Sequence, residues 1–178
     1  AILVPYSPEV ALPIAVDPAG SRQRHDDLRA RLAAQRQAAK ERVQVAPPAL
    51  FHSADPAGDI AALAFPAAAA PRVSLLIPVF NEPEVTAECL MALAADPSAA
   101  PFEVVVADDC STDPAIARLG GVANLVVVRQ EANAGFIANC NAAFARCRGE
   151  YVLLLNNDTQ VLPGAIDRMV AALDADAT

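Results

Sequence analysis

Residues 151–159 read Tyr-Val-Leu-Leu-Leu-Asn-Asn-Asp-Thr, and they carry the clearest indication of the chain's fold. Five aromatic and branched apolar residues in a row predict a buried parallel strand, and polar residues follow it without a spacer. Polar groups at the carboxyl end of such a strand lie where open α/β sheets bind ligands. Their oxygens are hard ligands of the kind that Mg²⁺ or Mn²⁺ prefers. The alternative is an ordinary turn in which Asp158 or Thr159 caps a helix that begins near Pro163.

The same alternation of strand and helix extends over residues 72–178. We predict strands over residues 73–77, 102–107, 124–129 and 151–155, helices over 84–95, 133–148 and 163–173, and a short helix that ends at Leu119. Gly149 is placed to terminate the helix over 133–148, whose apolar residues are expected on one stripe: Phe136, Ile137, Cys140, Phe144 and Cys147. Strands alternating with helices predict an α/β fold with a parallel sheet and right-handed crossovers.

Residues 1–71 have a different composition. Four prolines within residues 1–20 favour an extended segment, and residues 21–45 predict a charged helix that ends at Pro47 and Pro48. A solvated helix or linker is favoured over one that binds a partner or an anionic membrane surface, because acidic residues interrupt its basic field and its apolar face is thin. Residues 49–71 read as a Pro- and Ala-rich connector with one short strand over 60–65. We therefore predict a domain boundary near Pro71.

Charge and cysteine content restrict the function. The net charge of −8 lies entirely in residues 72–178, which argues against nucleic acid as a partner and makes a divalent cation useful for any anionic ligand. The four cysteines include no Cys-x-x-Cys, so zinc is disfavoured and a reducing cytoplasm is expected.

No apolar run approaches the ~20 residues of a membrane span. The chain opens without Met or a basic region, so we expect a fragment or processed product and not a secretory signal.

Three predicted strands end in polar clusters that a parallel sheet would bring to one edge. Convergent carboxylates repel one another unless solvent, a metal or a ligand compensates, so three clusters at one edge predict a ligand site. Neither a Gly-x-Gly-x-x-Gly turn nor a P-loop is present, and Lys40 is the single lysine. The clusters are Asn81 with Glu82, Asp108 with Asp109, and Asn157 with Asp158.

Four segments in this order resemble the motifs of family 2 glycosyltransferases of the GT-A fold. They are residues 73–82 (Val-Ser-Leu-Leu-Ile-Pro-Val-Phe-Asn-Glu), 103–113 (Glu-Val-Val-Val-Ala-Asp-Asp-Cys-Ser-Thr-Asp), 133–136 (Asn-Ala-Gly-Phe) with Asn141, and 149–159 (Gly-Glu-Tyr-Val-Leu-Leu-Leu-Asn-Asn-Asp-Thr). The resemblance covers about residues 71–178. It implies a GT-A (Rossmann-like), mostly parallel sheet flanked by helices. It also implies an inverting transfer from a nucleotide-diphosphate sugar, usually with Mg²⁺ or Mn²⁺.

The resemblance also implies a role for individual residues at the base-binding end. Pro78 and Phe80 would line the nucleobase and ribose pocket, with Glu82 close by. Asp109 would accept a hydrogen bond from the imide N–H of uracil or thymine, and Asp108 would support the turn. Because both bases present the same imide edge, UDP and dTDP carriers stay open.

At the phosphate end, Asn157 and Asp158 occupy the family's Asp-x-Asp region, and Asp158 aligns with the metal-binding acid. Two departures follow. Asn157 stands at the first acid's position, so one carboxylate and water would hold the metal. Phe136 and Cys140 are apolar where many relatives have a basic residue. Asn141 matches the family's Asn, and either a ligand contact or a buried bond to a neighbouring loop would explain it.

The resemblance places the acceptor site and the catalytic base in a second half that would begin after Thr178. We therefore expect the donor-binding half of an enzyme, inactive alone, acting at the cytoplasmic face of a membrane on a saccharide or lipid-linked acceptor, with peripheral membrane association left open. Two other classes are weighed. A receiver-like phosphoacceptor domain would need its acid pair after the first strand, and a non-catalytic binding module would need more apolar surface on the helix around Arg29.

Overall fold

Strands and helices alternate along the chain as the apolar pattern predicts. The computed structural model describes residues 2–4, 29–31 and 49–176. The elements are β1 (Ile2–Val4), α1 (Pro56–Ala62), β2 (Val73–Val79), α2 (Pro83–Ala94), β3 (Phe102–Asp108), α3 (Pro114–Ala117) with a 3₁₀ turn (Arg118–Gly121), β4 (Leu125–Arg129), α4 (Phe136–Phe144), β5 (Tyr151–Leu154) and α5 (Ala165–Asp176).

The chain divides into two units, Ala1–Tyr6 with Leu50–Thr178, and Ser7–Ala49. The second unit contains the whole of the charged helix predicted over residues 21–45, and that prediction lies outside the described residues except at 29–31, which are helical. The extended segment predicted over residues 1–20 is likewise described only at 2–4. None of the helices in the described part of the chain is long and apolar enough to cross a membrane.

The first unit contains a five-stranded sheet in the order β1-β5-β2-β3-β4. β2 pairs in parallel with both β3 and β5, and β4 extends the sheet in parallel beyond β3, whereas β1 adds to β5 in the antiparallel direction. The pairing register places Val79 opposite Asp108, so the carboxyl ends of β2 and β3 are level. The predicted α/β fold with a mostly parallel sheet is confirmed.

Helices cover both faces of the central strands, which explains why β3 is apolar on both faces. All seven residues of β3 are buried. One face packs in the larger apolar cluster, which includes Leu75, Val104 and Leu90 of α2, and the other face packs Val105 against Cys140 of α4. Successive residues of each strand point to opposite faces, so both helical layers are anchored by the same short apolar runs.

The short strand predicted over residues 60–65 is wrong, because residues 56–62 form helix α1. Asp55 caps it by accepting a hydrogen bond from the Gly58 N–H, and Pro56 occupies the first turn. Ile60 is fully buried in the larger cluster together with Phe65. The packed unit therefore begins on the amino-terminal side of the boundary predicted near Pro71.

Helix α4 is shorter than the helix predicted over residues 133–148, and its predicted single apolar stripe is wrong in part. Cys140 and Ala143 pack in the smaller core cluster, but Phe136 and Ile137 are 54% and 74% exposed. The buried face is instead shared with Asn139, which donates a hydrogen bond to the carbonyl oxygen of Ala107 (2.7 Å). A polar residue that satisfies the backbone of β3 thus sets how the helix is rotated.

Gly149 follows α4 at a distance and does not terminate it. A Cβ at this position would lie 2.5 Å from the backbone nitrogen of Ser74, so glycine allows the chain to pass against β2. The Ser74 hydroxyl accepts hydrogen bonds from the N–H groups of Arg148 (3.1 Å) and Gly149 (2.8 Å). This close approach fixes the entry into β5.

A buried polar network at the amino ends of β2 and β3 stabilises the same region. The carboxylate of Glu103 accepts hydrogen bonds from the Ser74 hydroxyl (2.6 Å) and from the backbone and side chain of Arg148. Burial raises the pKa of Glu103, but the hydrogen bonds from Ser74 and Arg148 and the charge of Arg148 outweigh it, so the pKa lies below its usual 4.5. The ionised form is therefore the stabilising one.

We expect Glu103→Gln to lower the free energy of unfolding by about 1–3 kcal/mol at neutral pH, because the charge-assisted bonds are lost. Since the folded pKa lies below the unfolded one, the wild-type advantage is complete above about pH 4.5 and disappears as the pH falls further. Urea unfolding between pH 7 and pH 3 measures this. The control is Glu150→Gln, an exposed partner of Arg72, which should change stability little. An equal, pH-independent loss in both variants would contradict the network.

Candidate functional site

A cleft of about 480 Å³ opens at the carboxyl ends of the parallel strands. Its walls come from the end of β2 and the loop after it, the loop after β3, the loop and first turn of α4, and the loop after β5. The lining residues are Pro78, Val79, Phe80, Glu82, Asp109, Asn133, Gly135, Phe136, Asn139, Asn156, Asn157 and Asp158. The sheet edge thus gathers residues that are up to 80 positions apart in the sequence.

The loop after β2 contributes Pro78, Phe80 and Glu82 to the cleft. Phe80 is half-exposed, so its ring is available to a flat ligand. The backbone turns sharply because Asn81 and Glu82 both have left-handed conformations, with φ of 58° and 53°. Such a conformation costs on the order of 1–2 kcal/mol for a residue with a Cβ, so surrounding bonds must hold it.

Asn81 provides those bonds by linking this loop to the loop after β3. Its side-chain oxygen accepts hydrogen bonds from the N–H groups of Thr112 (2.9 Å) and Asp113 (3.0 Å), and its own N–H donates to the Ser111 hydroxyl (2.8 Å). Asn81 does not line the cleft. Its role is to keep Phe80 and Glu82 in place.

Asp109 lies at the base of the cleft and is 5% exposed. Its carboxylate oxygens accept hydrogen bonds from the N–H groups of Ala134 (2.7 Å) and Gly135 (2.9 Å). Its backbone N–H donates to the carbonyl oxygen of Val79 (2.9 Å). A carboxylate has about four acceptor sites, so Asp109 can hold the loop before α4 and still accept one bond from a ligand.

Asp108 points away from the cleft. Its carboxylate accepts a hydrogen bond from the Ser111 N–H (2.8 Å) and pairs with the guanidinium of Arg129. The same guanidinium donates to the Ser111 carbonyl oxygen. These contacts hold the turn that carries Asp109, and a role in supporting the turn was predicted for Asp108.

The loop after β5 carries Asn156, Asn157 and Asp158 into the cleft. The Asn157 amide donates to the hydroxyl of Thr86 in α2 (3.0 Å). Asp158 is exposed. Beneath the turn, the buried Cys89 thiol contacts the carbonyl oxygen of Asn156 (3.8 Å). Burial, followed by the charge of Asp158, raises the pKa of Cys89 to about 12, so the thiol stays neutral.

The cleft can hold a divalent cation only if a bound anion supplies some of the oxygen atoms that coordinate the cation. Glu82, Asp109 and Asp158 are the acids among the lining residues, and no lysine, arginine or histidine is among them. Within the described ranges, no three His, Cys, Asp or Glu side chains are grouped closely enough to bind a metal. The exposed carboxylate of Asp158, with water and phosphate oxygens, suits Mg²⁺ or Mn²⁺, which often take few protein ligands. The donor set therefore fits such an ion bound together with an anion.

The structure brings six of the predicted site residues to the cleft and leaves two outside it. Pro78, Phe80, Glu82, Asp109, Asn157 and Asp158 line it, whereas Asp108 and Asn141 do not. Asn141 is on the exposed side of α4, and the buried asparagine of this helix is Asn139. Sequence reasoning missed Asn139, although its position four residues before Ala143 and one before Cys140 matches the buried face that the structure reveals. Asn133, Gly135 and Asn156 lie within the motifs over residues 133–136 and 149–159 but were not predicted as site residues.

Comparison with known proteins gives consistent matches over this region. The family model for "Glycosyl transferase family 2" matches residues 74–178. Relatives include an uncharacterized protein, y4gI, of Sinorhizobium fredii (34% identical, covering 59% of this chain and 12% of the relative). Another is the undecaprenyl-phosphate 4-deoxy-4-formamido-L-arabinose transferase of Pseudomonas fluorescens (37% identical, 58% and 33%).

A further relative has a solved structure. The poly(ribitol-phosphate) beta-N-acetylglucosaminyltransferase TarS of Staphylococcus aureus is 32% identical over 58% of this chain and 19% of its own length. Its crystal structure in complex with UDP-GlcNAc superposes with a TM-score of 0.52 at 32% identity, covering 58% of this chain and 31% of that one. This likeness agrees with the predicted GT-A fold. The chain spans a third or less of the length of each of these relatives.

Cys110 provides a test of the turn between Asp109 and Ser111, because it has a left-handed conformation with φ of 63°. We expect Cys110→Gly to raise the free energy of unfolding by about 0.5–1 kcal/mol, since glycine adopts this conformation without the Cβ clash. Thermal unfolding measures the change. Cys110→Ala is the matched control, because it also removes the thiol near the Glu131 carbonyl but keeps the Cβ. An equal gain in both variants would contradict strain at this turn.

Proposed function

Because the chain belongs to glycosyl transferase family 2, we propose that its cleft binds the nucleotide diphosphate of a UDP- or dTDP-sugar. In this proposal the chain is the donor-binding part of an inverting glycosyltransferase. The observation that carries it is the convergence of Asp109, Asp158 and the Phe80 ring in one cleft at the carboxyl edge of the sheet.

The base-binding end of the proposed site is formed by Pro78, Phe80 and Asp109. A half-exposed phenyl ring and a proline offer apolar surface to a flat pyrimidine. Asp109 is held in place by Ala134 and Gly135, so an unused acceptor site can receive the imide N–H of uracil or thymine. Cytosine has no proton at this position, and its ring nitrogen would face the carboxylate. The site therefore favours UDP or dTDP over CDP.

The phosphate end of the proposed site relies on backbone dipoles and a cation, because no basic side chain lines the cleft in the described residues. Gly135 and Phe136, at the start of α4, line it, and a helix amino terminus favours anions. Asp158 would hold Mg²⁺ or Mn²⁺ with the phosphate oxygens, with Asn157 beside it. When bound, such an ion neutralises the negative charge that develops on the leaving nucleotide diphosphate. Asp158 and the α4 terminus orient that group.

The relatives suggest the acceptor class. One is named as an undecaprenyl-phosphate transferase and another as a poly(ribitol-phosphate) transferase. The first name refers to a lipid phosphate and the second to a phosphate-containing polymer. We therefore propose a saccharide or lipid-linked acceptor, with the protein at the cytoplasmic face of a membrane and in peripheral contact with it. The acceptor site and the catalytic base would lie outside this chain.

The receiver-like alternative has less support. A receiver domain needs two neighbouring acids at its Mg²⁺ site, but Asp108 is 2% exposed and committed to Ser111 and Arg129. Only Asp109 of that pair lines the cleft. The donor site uses the two acids differently, one for the turn and one for the ligand, which matches their separate environments.

Calorimetric titration of the chain with UDP, dTDP and CDP, with and without Mn²⁺, tests the proposal. We expect UDP and dTDP to bind similarly with Mn²⁺ present, and CDP about tenfold or more weakly. Asp158→Ala should abolish the Mn²⁺ dependence, because the ion then loses the carboxylate that the loop after β5 carries into the cleft. Asp109→Asn should weaken UDP binding. It should also reduce the ratio of the UDP affinity to the CDP affinity, because an amide can donate a hydrogen bond to the cytosine ring nitrogen.

Glu150→Ala is the control for these titrations. It removes one negative charge at the opposite, amino-terminal end of β5 and should leave all three nucleotide affinities unchanged. If Glu150→Ala weakened Mn²⁺-dependent binding as much as Asp158→Ala, overall charge and not a local ion site would be responsible. If a folded wild-type chain bound none of the nucleotides with Mn²⁺ present, the proposed donor site would be refuted.

A further inference from the structure

A segment outside the family match contacts the loop that carries Asp158. The Phe51 N–H donates to the side-chain oxygen of Gln160 (2.8 Å), and the Gln160 side-chain amide donates to the Phe51 carbonyl oxygen (2.9 Å). A single glutamine thus pairs with both backbone groups of a residue 109 positions earlier. Such pairing leaves the side chain little freedom to rotate.

Helix α2 joins this contact through Glu88. One Glu88 carboxylate oxygen accepts a hydrogen bond from the Ser53 N–H (3.1 Å), and the other accepts one from the Gln160 amide (3.3 Å). The Ser53 hydroxyl in turn donates to the Asp59 carboxylate in α1 (2.6 Å). Residues 51–53, Glu88 and Gln160 therefore form one connected set of hydrogen bonds, which we name the brace.

Gln160, the brace residue nearest to Asp158 in the sequence, follows it by two positions. A second set of contacts holds the two residues before Asp158. Asn157 is bonded to Thr86, and the Asn156 carbonyl oxygen contacts the thiol of Cys89. Both partners are fully buried residues of α2. The turn is thus attached to the core on one side by α2 alone, and on the other by α2 together with residues 51–53.

We propose that the brace positions the turn over residues 156–158 for cation and diphosphate binding, and that Gln160 and Glu88 are positioning residues for the donor site. This proposal rests on the proposed function. Asp158 is exposed and projects from a short loop, so its place relative to the cleft depends on what fixes the loop at both ends. Residues 51–53 thereby act on a ligand that they do not touch.

The chemistry of the brace makes Gln160→Glu an informative change. A carboxylate of the same shape cannot donate to Phe51 or Glu88, and it would face the Glu88 carboxylate at about the present distance of 3.3 Å. On the other side, Phe51→Pro removes the N–H that donates to Gln160. Phe51→Ala is its matched control, because it also shortens the side chain but keeps that N–H.

Hydrogen exchange of the full chain tests the brace without any ligand. We expect Gln160→Glu and Phe51→Pro to speed exchange of the backbone amides of residues 157–160 about tenfold, because the turn opens more often. Phe51→Ala should have a smaller effect. Ser98→Ala, which removes a comparable hydrogen bond to Asp167 at the start of α5 (2.7 Å), should not affect these amides. Unchanged exchange in Gln160→Glu would overturn the brace.

Titration with UDP and Mn²⁺ tests the role of the brace in nucleotide binding. We expect Gln160→Glu to lower the Mn²⁺-dependent affinity about threefold to tenfold, as for the loss of one net hydrogen bond, and to leave binding without Mn²⁺ unchanged. If Gln160 had a purely structural role, Gln160→Glu would lower the melting temperature but would not change the ratio of the UDP affinities with and without Mn²⁺. Faster exchange with unchanged affinity would therefore overturn positioning.

The two measurements separate failure of the brace from failure of the proposed function. If the wild-type chain bound no nucleotide, the donor site and positioning for it would both be refuted, and the exchange rates would still decide whether the brace holds the turn. If the wild type bound UDP with Mn²⁺ and Ser98→Ala weakened binding as much as Gln160→Glu, general destabilisation would explain the loss and positioning by the brace would be overturned.

Discussion

Parallel pairing of β2 with both β3 and β5 is the constraint on which the cleft depends. It makes three strands end at the same edge, so the loops that follow them must share one space. Antiparallel pairing would have sent alternate loops to opposite ends. The polar groups of the site are therefore neighbours because of backbone direction, and the helical crossovers that make the strands parallel also bury the apolar runs on both faces.

The loops at this edge are held mainly by side chains that form hydrogen bonds with a neighbouring loop or helix. Asn81 joins the loop after β2 to the loop after β3, Asp109 joins the latter to the start of α4, and Asn157 joins the loop after β5 to α2. An asparagine or aspartate at a strand end can therefore be scaffold and ligand contact at once. This double use explains how left-handed residues at positions 81 and 82 are tolerated beside an open cleft.

The sequence was sufficient for the fold of residues 72–176 and for the family, both of which are confirmed. Asp109 and Asp158 could be placed at the cleft because each directly follows a strand with an unambiguous apolar run. The rotation of α4 could not be predicted, since its polar Asn139 faces the sheet and its apolar Ile137 faces solvent. Helix α1 was mistaken for a strand because six alanine-rich residues carry little periodicity. The pairing of Phe51 with Gln160 joins distant residues and has no local signal.

The burial of Cys89 beneath the Asp158 turn gives the protein an internal chemical probe. Alkylating reagents attack the thiolate, and both complete burial and a pKa of about 12 keep that form scarce while α2 and the turn are in contact. Modification of this sulfur must then wait for the turn to lift from the helix. The rate at which Cys89 is alkylated under native conditions therefore reports how often the turn opens.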